Sequence, residues 1–349
     1  MPDPASPIPA ADRSHAAVIT SRDQLIGGPK ASGQVGDILI ANTRVRFIVE
    51  AAGRSRSWFP VAGAILDADR VRPAGQPGED RLQEAVTRVG NLGVLVAEKV
   101  EIAADGSDGH PAIVRVSGYD IPVPILQSVA PSRRANVRAA TEYRLAPYAD
   151  SLEIATTITD LTGADQTVPT GDMFVLGDYV SLFAPGIGGD RDQLVFATKM
   201  RYFAAYGGAV SYGYMAPGRT LTLLVPQDEI FGAGTDLLRV SGGGTASFTR
   251  HLVVGEGDVA SLLPEIVRRE GGDAQAAIPV EVTVSEMGTK APLPGAQVVF
   301  GNAGGPYSVA VAGEGGKVRA PLEAGRYDWV ATASAHPGKA TGAVEVKAA

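Results

Sequence analysis

Residues 140–163 constrain the fold more than any other stretch, because apolar and polar side chains alternate along two segments separated by a turn. Tyr143 and Leu145 share one face of the first segment. One face of the second segment carries four residues: Leu152, Ile154, Thr156 and Ile158. A period of two is typical of half-buried strands, and Pro147 and Asp150 favour a turn between them. The stretch therefore predicts a long β-hairpin, which needs a large sheet to cover its apolar face.

The composition is typical of a chain with many short strands. The 349 residues allow about two domains. The 43 glycines and 24 prolines, in a chain with 45% hydrophobic residues, indicate many tight turns around a substantial core. The net charge of -7 argues against a nucleic-acid partner, which needs a basic face. No apolar run reaches the ~20 residues of a membrane-spanning helix. The absence of cysteine excludes disulfides, thiolate metal sites and cysteine nucleophiles.

Changes in composition and in the alternation of apolar and polar residues divide the chain into four predicted regions. Residues 1–18 are rich in proline, alanine and aspartate and are predicted to be a disordered tail. Residues 19–270 are predicted to form a large β domain, and residues 271–277 a linker. Residues 278–349 show short alternating segments separated by glycine-containing turns, which predict a small sandwich of about seven strands.

Two segments of the large domain carry helix signals. GEDRLQEAVTRVGNLG, residues 78–93, is compatible with either a short helix or an irregular crossing. In DVASLLPEIVRREGG, residues 258–272, Asp258 can cap the first turn and Gly271 can end the helix. Pro264 lies inside this segment, so we expect a kinked helix or two short ones.

The C-terminal segment resembles the carboxypeptidase-regulatory-like domain, a sandwich of the transthyretin type. The family pattern Pro-x-x-Gly-Ala-x-Val is present at Pro292–Val298, and the pattern Leu-x-x-Gly-x-Tyr-x-x-x-Ala is present at Leu322–Ala331. The resemblance covers about the last fifth of the chain.

The first 270 residues resemble the N-terminal region of exported bacterial proteins of the CehA/McbA metallohydrolase group. The matching stretches are IGGPKASGQVGDILIANTRVRFIVEAAGR, GAILDADRVRP, the hairpin, VSYGYM and TRHLVVGEGDVASL. The hairpin also resembles strands of the galactose-mutarotase-like supersandwich. The resemblances imply a mainly β fold, with a large antiparallel β-supersandwich followed by a small transthyretin-like or Ig-like sandwich.

Hydrolases of this group also carry a PHP-type domain, which binds metals through clustered histidines and carboxylates. The four histidines of this chain lie far apart in the sequence: His15, His110, His251 and His336. We therefore expect the hydrolase domain to be absent here. We also expect no metal or other cofactor, and none of the family's catalysis.

Two sets of polar residues have both a functional and a structural interpretation. Mutarotases use a histidine and a glutamate as general acid and base, and Glu142 and His251 are the nearest candidates, although a structural histidine in a strand explains His251 more simply. Four aspartates lie on or near glycine-rich loops, where oxygen ligands could hold calcium: Asp172, Asp178, Asp190 and Asp192. Turn-forming aspartates on solvated loops are the simpler explanation.

A cluster of aromatic residues beside an arginine predicts a sugar-binding surface. The candidate ligand-binding residues are Trp58, Arg201, Tyr202, Tyr206, Tyr212 and Tyr214. Arg54 and Arg56 could extend this surface beside the tryptophan. In the alternative interpretation, Tyr212 and Tyr214 point into the core with their hydroxyls at its rim.

We therefore predict a non-catalytic secreted or periplasmic binding or scaffolding module, with a glycan or cell-surface polymer as its ligand. The N-terminal stretch MPDPASPIPAADRS is not a signal peptide, so it is either a spacer left after removal of a leader or the tail of a cytosolic protein. Two alternatives remain. One is a carbohydrate-active enzyme of the mutarotase or lyase type that uses carboxylates. The other is a structural accessory part of a separate or missing metallohydrolase domain.

Overall fold

The structure is a computed structural model, and it describes residues 8–53, 56, 58–59, 61–128, 130–177, 180–189, 191–194, 199–224, 230–235, 237–273, 277–334 and 336–347. The first eighteen strands are β1 (His15–Val18), β2 (Ile38–Ala41), β3 (Val45–Val49), β4 (Ile65–Arg70), β5 (Leu82–Val89), β6 (Gly93–Ala104), β7 (Ala112–Pro122), β8 (Val137–Leu145), β9 (Ser151–Asp160), β10 (Gln166–Val168), β11 (Thr170–Leu176), β12 (Ser181–Phe183), β13 (Tyr202–Gly207), β14 (Val210–Met215), β15 (Thr222–Leu224), β16 (Ile230–Gly234), β17 (Leu238–Val240) and β18 (Thr245–Gly255).

Helices are short in the described part of the chain. The two α-helices are α1 (Arg191–Leu194) and α2 (Leu263–Arg269). Short 3-10 turns occupy Ala10–Asp12, Arg22–Gln24, Pro124–Leu126, Ala260–Leu262 and Glu314–Gly316. Within the described residues, no helix is both long and apolar enough to cross a membrane.

Sixteen of these strands form one antiparallel sheet, which folds onto itself into two layers. β5, β11 and β16 belong to one layer, and β8, β9, β18 and β14 belong to the other. Buried side chains meet between the layers. The Thr87 hydroxyl on β5 lies 3.1 Å from the Thr141 hydroxyl on β8, and Asp172 on β11 accepts hydrogen bonds from Arg250 on β18. The predicted mainly β fold, with a large antiparallel supersandwich, is confirmed.

β8 and β9 form the predicted hairpin and pair along most of their length. The side-chain amide of Asn42, which follows β2, donates hydrogen bonds of 2.9 Å to the carbonyl oxygens of Ala146 and Ala149. The turn between β2 and β3 therefore holds the turn of the hairpin in place. One face of the hairpin is buried through these residues: Tyr143, Leu145, Leu152, Ile154, Thr156 and Ile158.

The structure differs from the sequence analysis at two places in this part of the chain. Residues 78–93, expected to be a short helix or an irregular crossing, contain β5. This strand is covered on both faces, and even Glu84 is buried, where it accepts a 3.0 Å hydrogen bond from the Phe59 backbone N–H. Strand structure also begins before Ile19, because β1 lies within the predicted disordered tail and pairs with β2.

The helical segment near residue 260 forms as predicted, with a different role for its proline. Asp258 Oδ1 accepts a hydrogen bond of 2.9 Å from the backbone N–H of Ser261, which caps the segment. Pro264 lies in the first turn of α2, where a missing N–H leaves no helical bond unmade. The proline therefore begins a helix instead of kinking one. α2 packs on the face of β14 and β18 that points away from the main core.

The C-terminal residues form a small sandwich of two sheets with its own apolar core. In one sheet β19 (Ile278–Thr283) pairs with β22 (Lys317–Leu322), and the other has the order β21-β20-β23-β24. The strands of the second sheet are β20 (Gln297–Asn302), β21 (Gly305–Val311), β23 (Gly325–Ala333) and β24 (His336–Val346). The described residues thus form six strands, where about seven were expected.

The small sandwich docks on the large one through β21. Val309 on β21 belongs to an apolar cluster that also contains Tyr202 on β13 and Ile266 on α2. The carboxylate of Asp258 accepts a 3.1 Å hydrogen bond from the Val311 backbone N–H, in addition to capping the helical segment. The two sandwiches therefore share both an apolar cluster and hydrogen bonds.

Candidate functional site

The four tyrosines predicted to bind a ligand are core residues. Tyr202, Tyr206, Tyr212 and Tyr214 lie on β13 and β14 and are at most 8% exposed. Tyr212 and Tyr214 face the main core, whereas Tyr202 and Tyr206 face the apolar cluster beneath α2 and β21. Both faces of this strand pair are covered, so the exposed aromatic surface predicted from these four residues does not form. This corrects the sequence analysis.

The hydroxyl of Tyr212 is fully used inside the protein. It accepts hydrogen bonds from the backbone N–H groups of Arg81 at 2.8 Å and Leu82 at 3.1 Å. It lies 3.0 Å from the carbonyl oxygen of Ala68, to which it can donate. Burial, followed by the charge of nearby Asp80, raises the pKa of Tyr212 well above its ordinary value. The residue therefore ties β14 to the loop before β5.

Tyr212→Phe is expected to lower the free energy of unfolding by about 1–3 kcal/mol, because the Arg81 backbone N–H would lose its acceptor and the Leu82 backbone N–H would keep only its 3.2 Å bond to Asp80 Oδ1. Urea denaturation measures the loss. Tyr148→Phe is the control, since the Tyr148 hydroxyl makes one 3.0 Å bond to Asp12 in a less buried place. Its loss should stay below about 0.5 kcal/mol. Equal losses in the two variants would contradict the structural role of Tyr212.

Trp58 and Arg201 are exposed, but they lie on different elements. Trp58 is 40% exposed and lies in the loop between β3 and β4. Arg201 directly precedes β13, and its guanidinium forms an ion pair with Glu270 after α2. The hydrogen bond that Arg201 donates to the Glu270 carboxylate raises the pKa of Arg201. The buried tyrosines cannot connect these two residues into one surface.

Arg56, near Trp58 in the sequence, forms ion pairs with carboxylates of the protein itself. Arg56 Nη2 lies 2.5 Å from Asp37 Oδ2, and Arg56 Nε lies 3.4 Å from Glu50 Oε1. Both carboxylates are fully buried, so Arg56 neutralises internal charge instead of extending a binding surface. Arg54 lies outside the described residues.

Asp172 is a buried strand residue and not a calcium ligand on a loop. Its carboxylate accepts hydrogen bonds from Arg250 Nε at 2.5 Å and Nη2 at 2.6 Å, and from the Tyr214 hydroxyl at 2.5 Å. For the remaining calcium candidates, either the residue or its side chain lies outside the described part of the chain: Asp178, Asp190 and Asp192. The described residues contain no group of three side chains that could hold a metal ion.

The predicted acid–base pair lies on one face of the large sheet with a strand in between. Glu142 on β8 lies opposite Ala155 on β9, whereas His251 on β18 lies opposite Glu153, so the two residues are one strand apart and offset by two residues, a spacing of about 12 Å. Glu153 on β9 lies directly opposite His251. His251 is 4% exposed, and burial, followed by the charge of Arg269, lowers its pKa to about 3. A histidine that is neutral at neutral pH cannot act as a general acid there.

A groove opens where the turn of the hairpin meets the end of α2. Its volume is about 260 Å³, and its lining residues are Pro111, Arg144, Ala146, Ser151, Glu153 and Arg269. Arg144 and Glu153 lie opposite each other on β8 and β9, and Arg269 reaches the groove from the last turn of α2. Four of the six lining residues are polar, so the groove offers both hydrogen-bond donors and acceptors.

Ion pairs fix the side chains on one wall of this groove. Arg144 Nη1 lies 3.2 Å from Glu153 Oε1, and Arg144 Nε lies 3.0 Å from Glu142 Oε2. The hydrogen bond to Glu142 raises the pKa of Arg144. The side chains of Arg144 and Glu153 are 42% and 32% exposed. Both are therefore positioned by the protein and still accessible to a ligand.

Glu265 on α2 holds the opposite wall. Its Oε1 accepts hydrogen bonds from the Ser151 hydroxyl at 2.6 Å and from Arg269 Nε at 2.7 Å. The Ser151 hydroxyl donates its hydrogen bond to this carboxylate, and His251 Nδ1 has no hydrogen-bond partner among the described residues. Serine and histidine therefore do not form a nucleophile–base pair. The arrangement is suited to binding.

The sequence analysis did not identify this groove. The period of two puts Ser151 and Glu153 on the face opposite Leu152 and Ile154, and the cross-strand pair of Arg144 and Glu153 could have been found from the hairpin register. Arg269 could not have been found in this way, because only the packing of α2 on the sheet brings it to the hairpin.

No family model matches the sequence, and no curated protein matches it. A TPR-domain containing protein from Parabacteroides distasonis is similar in structure with a TM-score of 0.40 and 10% identity, over 68% of this chain and 52% of that one. This chain thus spans about half the length of that structure. A galactose mutarotase related enzyme from Lactobacillus acidophilus has a TM-score of 0.38 and 9% identity, over 63% of this chain and 98% of that one. A heparan sulfate lyase from Pedobacter heparinus has a TM-score of 0.35 and 8% identity, over 90% of this chain and 41% of that one.

Proposed function

We propose that this protein is a non-catalytic carbohydrate-binding module whose groove holds one sugar ring. The observation that carries the proposal is the half-exposed guanidinium of Arg144 fixed beside the half-exposed carboxylate of Glu153. Neighbouring sugar hydroxyls both donate and accept hydrogen bonds, and this pair offers a charged donor and a charged acceptor side by side. Pro111 and Ala146 add apolar surface to the same groove.

The charges around the groove favour a neutral sugar. Arg144 is balanced by Glu142 and Glu153, and Arg269 is paired with Glu265. An anionic sugar would meet the carboxylates as well as the guanidinium groups. The volume of about 260 Å³ lies below the usual range for drug-sized ligands. We therefore propose that one ring of a larger polymer enters the groove, with the rest of the polymer outside.

The setting of this module is part of the same proposal. We place it outside the cytoplasm, secreted or periplasmic, with a cell-surface polymer or other glycan as partner. We assign residues 278–349 to the carboxypeptidase-regulatory-like type and the preceding residues to the CehA/McbA-type N-terminal region, on the motifs that carry those resemblances. A structural accessory role beside a separate metallohydrolase domain is the second candidate, and the docking of β21 against α2 favours it, because a rigid body can position a partner.

Arg144→Gln is expected to weaken binding of the best glycan at least about tenfold, because a charged bidentate donor is lost. Glycan arrays identify the ligand, and isothermal titration calorimetry measures the affinity. Arg138→Gln is the matched control. Arg138 lies on the same strand face, about 20 Å along β8, and pairs with Glu98. This variant should bind like the native protein.

Two outcomes would count against the proposal. If a broad panel of bacterial and plant polysaccharides shows no binding, the carbohydrate ligand is wrong, and the accessory role becomes the better explanation. If both arginine variants weaken binding equally, the ligand binds elsewhere on the surface.

A further inference from the structure

β24 is a long edge strand whose outer side has no partner in the described residues. It spans 11 residues and pairs with β23 on one side, and no described strand pairs with its other side. The unpaired N–H and C=O groups of such an edge can pair with another chain. Proteins usually protect edges with short strands, prolines, bulges or charged side chains. Here Pro337 and the bulge between Thr332 and Ala333 lie at one end only, so Gly338 to Val346 has no proline or bulge and carries only the charged side chains of Lys339 and Glu345.

The charges on this edge are symmetric about Gly342. Lys339 lies three residues before it and Glu345 three residues after it, and both are exposed. We infer that two copies of this protein pair through β24, antiparallel and with Gly342 of each copy on the two-fold axis. In this register Lys339 of each copy lies directly opposite Glu345 of the other. The two-fold symmetry makes this ion pair twice.

The two faces of the paired strands agree with this register. Lys339 and Glu345 are six residues apart and therefore lie on the same face, the one that points to solvent. The opposite face carries Val344 and Val346, which pack in the core of the small sandwich. At the centre, Gly342 has no side chain, and the Trp329 ring lies so close that a Cβ at 342 would come within 2.5 Å of it. Pairing of the two edges would continue the two four-stranded sheets into one sheet of eight strands.

The first test is the mass of the full chain by sedimentation equilibrium between about 1 and about 200 µM. The native protein is expected to form a reversible dimer, twice the 36.0 kDa of one chain. Lys339→Glu and Glu345→Lys should each raise the dimer dissociation constant about tenfold, because each places like charges opposite each other twice. The two substitutions together restore opposite charges and should restore the dimer. Lys347→Glu, on the same segment but outside the ion pairs, should have no effect.

A second test reports the register directly. In the inferred pairing Thr341 of one copy lies opposite Ala343 of the other. The chain contains no cysteine, so a mixture of the Thr341→Cys and Ala343→Cys variants should form one mixed disulfide under mild oxidation. Directly opposite residues are within the distance that a disulfide spans. A protein that stays monomeric, a dimer insensitive to charge reversal, or a charge-swapped protein that fails to dimerise would each overturn the inference.

Discussion

Arg250→Met is expected to lower the free energy of unfolding by about 3–5 kcal/mol. The side chain of Arg250 is fully buried, and its guanidinium donates hydrogen bonds to both carboxylate oxygens of Asp172 across the two layers. It also donates to the hydroxyls of Thr156 at 2.5 Å and Thr87 at 3.0 Å. Methionine would fill much of the same space, but it would leave the charge of Asp172 buried without a counter-charge. Denaturation by guanidinium chloride, followed by circular dichroism, measures the loss.

A second substitution separates the effect of charge from that of packing. Adding Asp172→Asn to Arg250→Met should recover at least about 1 kcal/mol, because asparagine is neutral and can still accept the hydrogen bond from Tyr214. Arg115→Met is the surface control, since that side chain is 48% exposed and its loss should stay below about 0.5 kcal/mol. If Arg250→Met is as stable as Arg115→Met, the buried pair does not have the proposed role. If the variant with both substitutions is no more stable than Arg250→Met alone, the loss comes from packing and not from the uncompensated charge of Asp172.

The hairpin shows what a period of two can predict. One face of β8 and β9 packs in the core and the other meets solvent or polar side chains, so the sequence carries the alternation clearly. β5 lacks this alternation between a buried and an exposed face. Both of its faces are covered. Glu84 is buried, and its carboxylate accepts a hydrogen bond from the Phe59 backbone N–H in the loop between β3 and β4. A buried carboxylate in a strand gives the same sequence pattern as an exposed residue of a helix.

The site could not be predicted for a related reason. Whether Tyr202 and Tyr206 are exposed depends on α2 and β21, which cover that face of β13 only after the chain has folded back. The groove depends equally on packing, because it needs Arg269 from α2 beside Arg144 from the hairpin. The sequence can show which face of a strand is polar, but it does not show which distant element covers that face.

His251→Met is expected to make the protein less sensitive to acid. Burial, followed by the charge of Arg269, lowers the pKa of His251 to about 3. Between about pH 6.5 and about pH 3 the unfolded chain therefore binds a proton on this histidine that the folded protein does not bind. The contribution of His251 to stability is complete above about pH 6.5. It is lost as the pH falls, at about 1.4 kcal/mol per pH unit.

Protonation of Asp67 changes the free energy of unfolding in the opposite direction. The pH dependence of the native protein alone therefore does not show the effect of His251. Burial raises the pKa of Asp67 to about 6, against hydrogen bonds from the backbone of Ser32 and Gly33 that lower it. The folded protein therefore binds this proton before the unfolded chain does. As the pH falls from about 6 to about 4, this group adds stability while His251 removes it. Only a comparison between variants separates the two effects.

The measurement is urea denaturation of the native protein and of His251→Met at about pH 7 and about pH 4.5. Between these two pH values the native protein should lose about 2–3 kcal/mol more than the variant, because the variant has no group to protonate at this position. His110→Gln is the matched control. His110 is exposed, so its removal should leave the pH dependence of the native protein unchanged. If His251→Met and His110→Gln have the same pH dependence, then the buried histidine is not a group through which acid destabilises the folded protein.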